Sequence, residues 1–111
     1  MKEYVFTINL KDDPDLIEQY KEYHRNPWPE VLEGLKARGV TKMQIYLLGR
    51  RMFMVMETLD EVEPRRDLPR SKEWQELMNR FQERVPEAKP GEHWAAMEKV
   101  FDFTNSEDAN A

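Results

Sequence analysis

Residues 3–10, "EYVFTINL", place Tyr4, Phe6, Ile8 and Leu10 on one face of an extended chain and Val5, Thr7 and Asn9 on the other. A period of two predicts a half-buried β-strand. The period changes after "KDDPD". Asp13 is suited to accept backbone N–H bonds at a helix start, and Pro14 to the first helical position, where no donor is missed. From there Leu16, Ile17, Tyr20 and His24 recur at helical spacing, with Tyr23 at the flank of the stripe. Tyr20 and His24 are four residues apart and share a face. "NPWP" interrupts this helix, because Pro27 and Pro29 each disfavour helix in the residue before them. A second helical run begins near Pro29, turns Val31, Leu32 and Leu35 inward, and stops at Gly39. Residues 14–38 thus read as one bent helix in two pieces.

"TKMQIYLLG" and "MFMVMETL" read as two further strands joined by a short "GRR" turn. Residues 60–70, "DEVEPRRDLPR", carry Pro64 and Pro69 and read as a loop. Residues 71–85 predict an amphipathic helix with Ser71 as its cap and Trp74, Leu77, Met78, Phe81 and Val85 as its apolar stripe. "PEAKPGE" is a turn, and "HWAAMEKVFDF" supplies a last strand. The tail, residues 104–111, is polar and small, and disorder is expected there. The order β-α-β-β-α-β predicts an α+β, ferredoxin-like sandwich in one domain, residues 1–103, with helices on one face of an antiparallel sheet. "MFMVMETL" is apolar on both of its faces, so a second copy is expected to cover the other side of the sheet.

Composition narrows the function. With 111 residues, 40% hydrophobic and 35% charged, the chain supports one modest core. Its net charge of −5, from 17 basic and 22 acidic residues, argues against a nucleic-acid surface. The basic cluster Arg65, Arg66 and Arg70, interrupted by Asp67, with Arg50 and Arg51 elsewhere, reads as solvated loop in preference to a phosphate site. The absence of cysteine removes disulfides, thiolate metal sites and cysteine nucleophiles. No signal peptide or membrane-spanning run is visible, and a soluble cytoplasmic protein is expected.

Candidate chemistry concentrates in "YKEYHRNPWPE", residues 20–30. An imidazole both gives and takes protons near neutrality, so His24 is either a proton shuttle or a surface histidine bonded to a neighbour. Tyr20 could orient it, bond a polar ligand, or simply pack. Trp28 and Trp74 offer flat faces suited to the C–H face of a sugar, or are core. His93 and Trp94 start the last strand, where His93 could be merely exposed. Glu57 is either an exposed strand end or a cavity carboxylate. Two distant histidines, with no HExxH, EF-hand or glycine-rich phosphate spacing, leave neither a metal site nor a cofactor to expect.

The pattern Tyr20-x3-His24-x3-Trp28-Pro29-Glu30, followed by "MQIYLLG" and "RMFMVMET", resembles the L-rhamnose mutarotase family of small dimeric ferredoxin-like barrels, dimeric α/β barrels in overall form. Within it, "LKDDPDLIEQYKEYH", "KMQIYLLGRRMFMVMET" and "EWQELMNRFQERVPEAKPGEHWAAMEKVF" are most similar to the L-fucose branch, and the resemblance spans residues 3–103. It implies an isomerase that interconverts the α and β anomers of a deoxyhexose, L-fucose first and L-rhamnose as the alternative. The catalytic histidine falls on His24, and a substrate-contacting tyrosine falls on Tyr20. The rhamnose branch's second substrate tyrosine falls on Met43, and its tryptophan pair falls on Trp74 and Gln75. Trp28 would complete the aromatic wall, and Glu92 or a group of a partner subunit would add contacts. A homodimer without cofactor is implied. A non-catalytic small-ligand-binding dimer, favoured because the family has a short helix where this chain is shorter and carries Pro64 and Pro69, and a haem-binding monooxygenase of the same fold are the competing readings.

Overall fold

The computed structural model describes residues 1–60 and 70–104. Five strands and three helices follow in the order β1 (Lys2–Leu10), α1 (Pro14–Arg25), α2 (Pro29–Ala37), β2 (Val40–Leu48), β3 (Arg51–Thr58), α3 (Ser71–Asn79), β4 (Gln82–Glu83) and β5 (Ala95–Ala96). The sheet runs β2-β3-β1-β4, and β5 also pairs with β1, every contact antiparallel. This is the ferredoxin-like order, with the fourth strand divided into two short pieces along one edge of β1.

The bent helix forms for the reasons its sequence contains. The Asp13 carboxylate accepts from the backbone N–H of Asp15 at 2.9 Å and of Leu16 at 3.4 Å, which satisfies donors that the first turn leaves unmet. Asn26 ends α1, and extended Trp28 restarts the chain with Pro29 at the first position of α2. Gly39 then adopts φ +77°, a left-handed conformation that lets the chain turn out of α2 into β2.

One irregularity decides what the sheet shows the helices. Val40 pairs with Thr58, but Lys42 pairs with Glu57, so Thr41 is an extra residue in β2. A one-residue slip exchanges the two faces of a strand. The bulge therefore turns Met43, Ile45 and Leu47 toward the helices, level with Met56, Met54 and Met52 of β3. Next to these stand Tyr4, Phe6 and Ile8 of β1. Ile8, Leu10, Tyr20, Met52, Met78 and Phe81 form the buried core beneath α1 and α3.

The second half of the chain departs from expectation in three places. The helix predicted over 71–85 ends at Asn79, where the Arg80 N–H closes on the carbonyls of Leu77 and Met78. Phe81 and Val85 are still buried, because the chain turns directly into β4 and lies along Asn9 and Leu10. Ser71 is the first helical residue and not the cap; Arg70 precedes it with no side-chain cap bond. The strand predicted over 93–103 narrows to Ala95–Ala96, extended by one bond from Met97 N–H to the Val5 carbonyl. Past it, Val100, Phe101 and Phe103 are 87%, 81% and 73% exposed. The loop reading of residues 61–69, with Pro64, Pro69, Arg65, Arg66 and Asp67, and the disorder expected of 105–111 lie outside the described residues.

Candidate active site

A cavity of about 700 Å³ opens between the sheet and the helices, well within the size of small-molecule sites. Phe6, Met43, Ile45, Met54 and Met56 of the sheet form one side of it. Val31, Leu32 and Leu35 of α2 and Trp74 and Met78 of α3 add apolar walls. Into this lining come a few polar groups: His24, Gln75, Gln82, Arg38 and the indole of Trp94.

His24 stands in the last turn of α1, stacked on Tyr20 with ring centroids 4.3 Å apart and meeting the Trp74 ring edge-on at 5.6 Å. Its Nδ1 lies 2.9 Å from the Tyr20 carbonyl oxygen. A carbonyl only accepts, so Nδ1 carries the proton, and Nε2 of the neutral ring holds the lone pair. Nε2 has no hydrogen-bond partner among the described residues. Burial pushes the imidazole pKa below its ordinary value, against the opposing pull of the carbonyl bond. His24 is therefore a neutral base at pH 7. It and Tyr20 also border a second recess of about 280 Å³, on the side of Lys21 and Arg25.

Tyr20 is 4% exposed, and its hydroxyl oxygen lies 3.4 Å from Gln82 Nε2, which donates to it. Burial pushes the phenol up to about 12, with the Gln82 bond working the other way. The group stays protonated at every physiological pH, so it keeps an O–H to donate.

The sequence-derived residues are gathered unevenly. Tyr20, His24, Met43, Trp74 and Gln75 all line the large cavity. Trp28 does not; its ring meets the Trp74 ring edge-on at 5.1 Å, and the Arg70 guanidinium lies over it, 3.9 Å from its centroid. Gln75 donates to Asn79 at 2.8 Å where it lines the cavity. Glu57 accepts from the Thr41 hydroxyl at 2.9 Å on the opposite sheet face. Glu92 accepts from the backbone N–H groups of Lys89 and Ala96, which ties up both of its oxygens in the turn before β5. Arg50 and Arg51 pair with Glu83 and Asn9 beside a separate cavity. Among the described residues no three of His, Cys, Asp and Glu gather into a group that could hold a metal ion, and no helix is long and apolar enough to cross a membrane.

Sequence reasoning overlooked Gln82 and Arg38 and took His93 for a residue that could be merely exposed. His93 Nε2 lies 2.6 Å from Gln82 Oε1. No spacing marks these two, because Gln82 reaches the cavity only through the pairing of β4 with Leu10.

Comparison with known proteins bears on the family of the chain. The family model for L-rhamnose mutarotase matches residues 3–103. A UPF0734 protein of Dictyostelium discoideum is 40% identical, over 92% of this chain and 90% of its own length. An L-fucose mutarotase of Xanthomonas campestris is 35% identical, over 91% of this chain and 87% of its own. The crystal structure of an L-rhamnose mutarotase from Formosa agariphila superposes with a TM-score of 0.70 at 20% identity, covering 94% of this chain and all of that one, which shows the shared fold. The chain belongs to the L-rhamnose mutarotase family and is a sugar mutarotase, an isomerase of sugar anomers.

Proposed function

We propose that this protein interconverts the α and β anomers of L-fucose, with His24 as the proton shuttle and Tyr20 as the hydrogen-bond donor to the ring oxygen. The observation that carries the reading is the pairing of a neutral imidazole, its Nε2 lone pair unclaimed, with a protonated phenol stacked beside it in one sugar-sized cavity. His24 Nε2 takes the proton of the anomeric hydroxyl as the bond from the anomeric carbon to the ring oxygen breaks, leaving an aldehyde. The ring oxygen takes up the electron pair, is held by the Tyr20 O–H, and receives the proton back from His24. Rotation of the aldehyde and reclosure on its other face, by the same steps reversed, give the other anomer. Each well-placed acid or base contributes about 10²–10⁴ in rate, and a reaction that already proceeds in water needs no more.

Trp74 offers its face to the apolar side of the sugar, and Gln75 its amide to a hydroxyl. Two observations favour L-fucose over L-rhamnose. The L-fucose relative is 35% identical over 91% of the chain, against 31% over 81% for an L-rhamnose mutarotase of Enterococcus faecalis. Met43, which falls where the rhamnose branch has a substrate tyrosine, presents a thioether in the apolar part of the cavity and bonds a hydroxyl poorly.

The same reading makes the protein a cytoplasmic homodimer. Tyr46 and Leu48 on the far face of the sheet are 56% and 80% exposed, next to half-buried Phe53 and Val55, and a second copy would cover them. Light scattering at micromolar concentration would give twice the chain mass; the mass of one chain would oppose the dimer. Saturation of one anomeric proton of L-fucose, followed at the other with and without protein, tests the activity. Binding without transfer would identify a non-catalytic sugar binder instead.

A further inference from the structure

The group that holds the Tyr20 hydroxyl belongs to neither helix of the bent pair. Gln82 stands in β4 opposite Leu10, is 6% exposed, and lines the sugar cavity beneath Tyr20. A primary amide can be held in two orientations that exchange its oxygen and nitrogen, and the two have opposite consequences for Tyr20. With the amide nitrogen toward Tyr20, the phenol oxygen accepts, and its single proton must point elsewhere. With the amide oxygen there, the phenol spends its proton on Gln82.

In this structure the amide stands with its oxygen toward His93, whose Nε2 lies 2.6 Å from Gln82 Oε1, and the His93 tautomer is what would hold it there. An amide oxygen only accepts, so His93 donates through Nε2–H and fixes the amide nitrogen 3.4 Å from the Tyr20 oxygen. Burial, with the charge of nearby Arg84 adding to it, holds the His93 pKa below the ordinary imidazole value. Its neutral ring has one proton, and the chain requires that proton on Nε2. His24, bonded through Nδ1, needs the opposite tautomer.

We infer that His93 and Gln82 are positioning residues, which together orient the Tyr20 hydroxyl so that its proton is directed into the sugar cavity and available to the ring oxygen of the substrate. The inference deepens the mutarotase reading and rests on it for the identity of the acceptor, but the orientation itself can be measured without sugar. With only two histidines in the chain, long-range ¹H–¹⁵N correlation at about pH 8, where both rings are neutral, resolves each tautomer. His93→Ala assigns the signals. The expected result is a pyrrole-like Nε2 for His93 and a pyrrole-like Nδ1 for His24; a pyrrole-like Nδ1 for His93 would reverse the amide and overturn the inference.

A second arm reads the consequence. Gln82→Glu is isosteric but presents only acceptor oxygens, so the phenol turns its proton toward residue 82. Anomer exchange is expected to fall roughly ten-fold, as far as in Tyr20→Phe, and the double variant to lose no more than either single one. Losses that multiply in the double variant would mean that Gln82 acts independently of Tyr20. If the wild-type protein exchanged no anomers at all, the mutarotase reading would fail, while the His93 tautomer would still decide the orientation.

Discussion

Removing one oxygen atom separates the packing of Tyr20 from its chemistry. In Tyr20→Phe the ring remains, and with it the stack on His24 at 4.3 Å and the edge contact with Phe81 at 6.1 Å. Only the 3.4 Å bond from Gln82 is lost, a long and weak one. Its net contribution to stability is expected to be about 1 kcal/mol or less, since Gln82 keeps its stronger bond to His93. For a domain of this size that lowers Tm by no more than roughly 4–8 °C. Tyr20→Ala, in contrast, empties a core position and is expected to cost about 3–5 kcal/mol. Activity should respond the other way to the small change. A hydrogen bond to an oxygen that gains charge in the transition state is worth about 1.5–3 kcal/mol, or roughly ten- to hundred-fold in rate. Thermal unfolding and anomer exchange measured on the same sample give both numbers. A Tyr20→Phe protein with wild-type Tm and a rate within two-fold of wild type would refute the donor role of the hydroxyl.

Two further outcomes follow from the cavity. Because burial lowers the His24 pKa, the imidazole stays deprotonated as pH falls through the ordinary value of 6.5. The catalysed rate, corrected for the reaction in buffer, should hold through that region and decline only at lower pH; a midpoint at or above 6.5 would contradict His24 as a desolvated base. Met43→Tyr places a phenol in an apolar stretch of the lining and is expected to raise exchange of L-rhamnose relative to L-fucose. Competition between the two sugars reads the ratio, and an unchanged ratio would remove Met43 from sugar selection.

The first sixty residues were legible because their signals are local. Asp13 and Pro14 open α1, the prolines of "NPWP" divide the helices, alternation marks β1, and the "GRR" turn separates β2 from β3. The shared face of Tyr20 and His24 followed from helical spacing alone and is realised as a ring stack. What spacing could not show was the end of α3. Phe81 and Val85 continue the apolar period of Trp74, Leu77 and Met78, yet they are buried by a turn into β4 and not by more helix. Burial demands an apolar residue in either geometry, so the pattern cannot distinguish them. The same limit hid Gln82, a polar residue whose place in the cavity depends on a strand pairing across more than seventy residues. The bulge at Thr41 also left no mark, although it decides that Met43 and Ile45 face the sugar cavity and Lys42 and Gln44 do not. Trp28 shows the converse case, a ring correctly placed near His24 in sequence that serves as backing to Trp74.

The central claim is that His24 moves the proton that opens and closes the sugar ring. Its most direct test is magnetisation transfer between the α and β anomeric protons of L-fucose, with L-rhamnose alongside, in buffer, with the wild-type protein and with His24→Ala. Transfer between the L-fucose anomers that requires the wild-type protein, and that falls at least about ten-fold in a folded His24→Ala protein, is the expected result. Transfer that persists undiminished in His24→Ala, or that never rises above buffer with the wild-type protein, would contradict it.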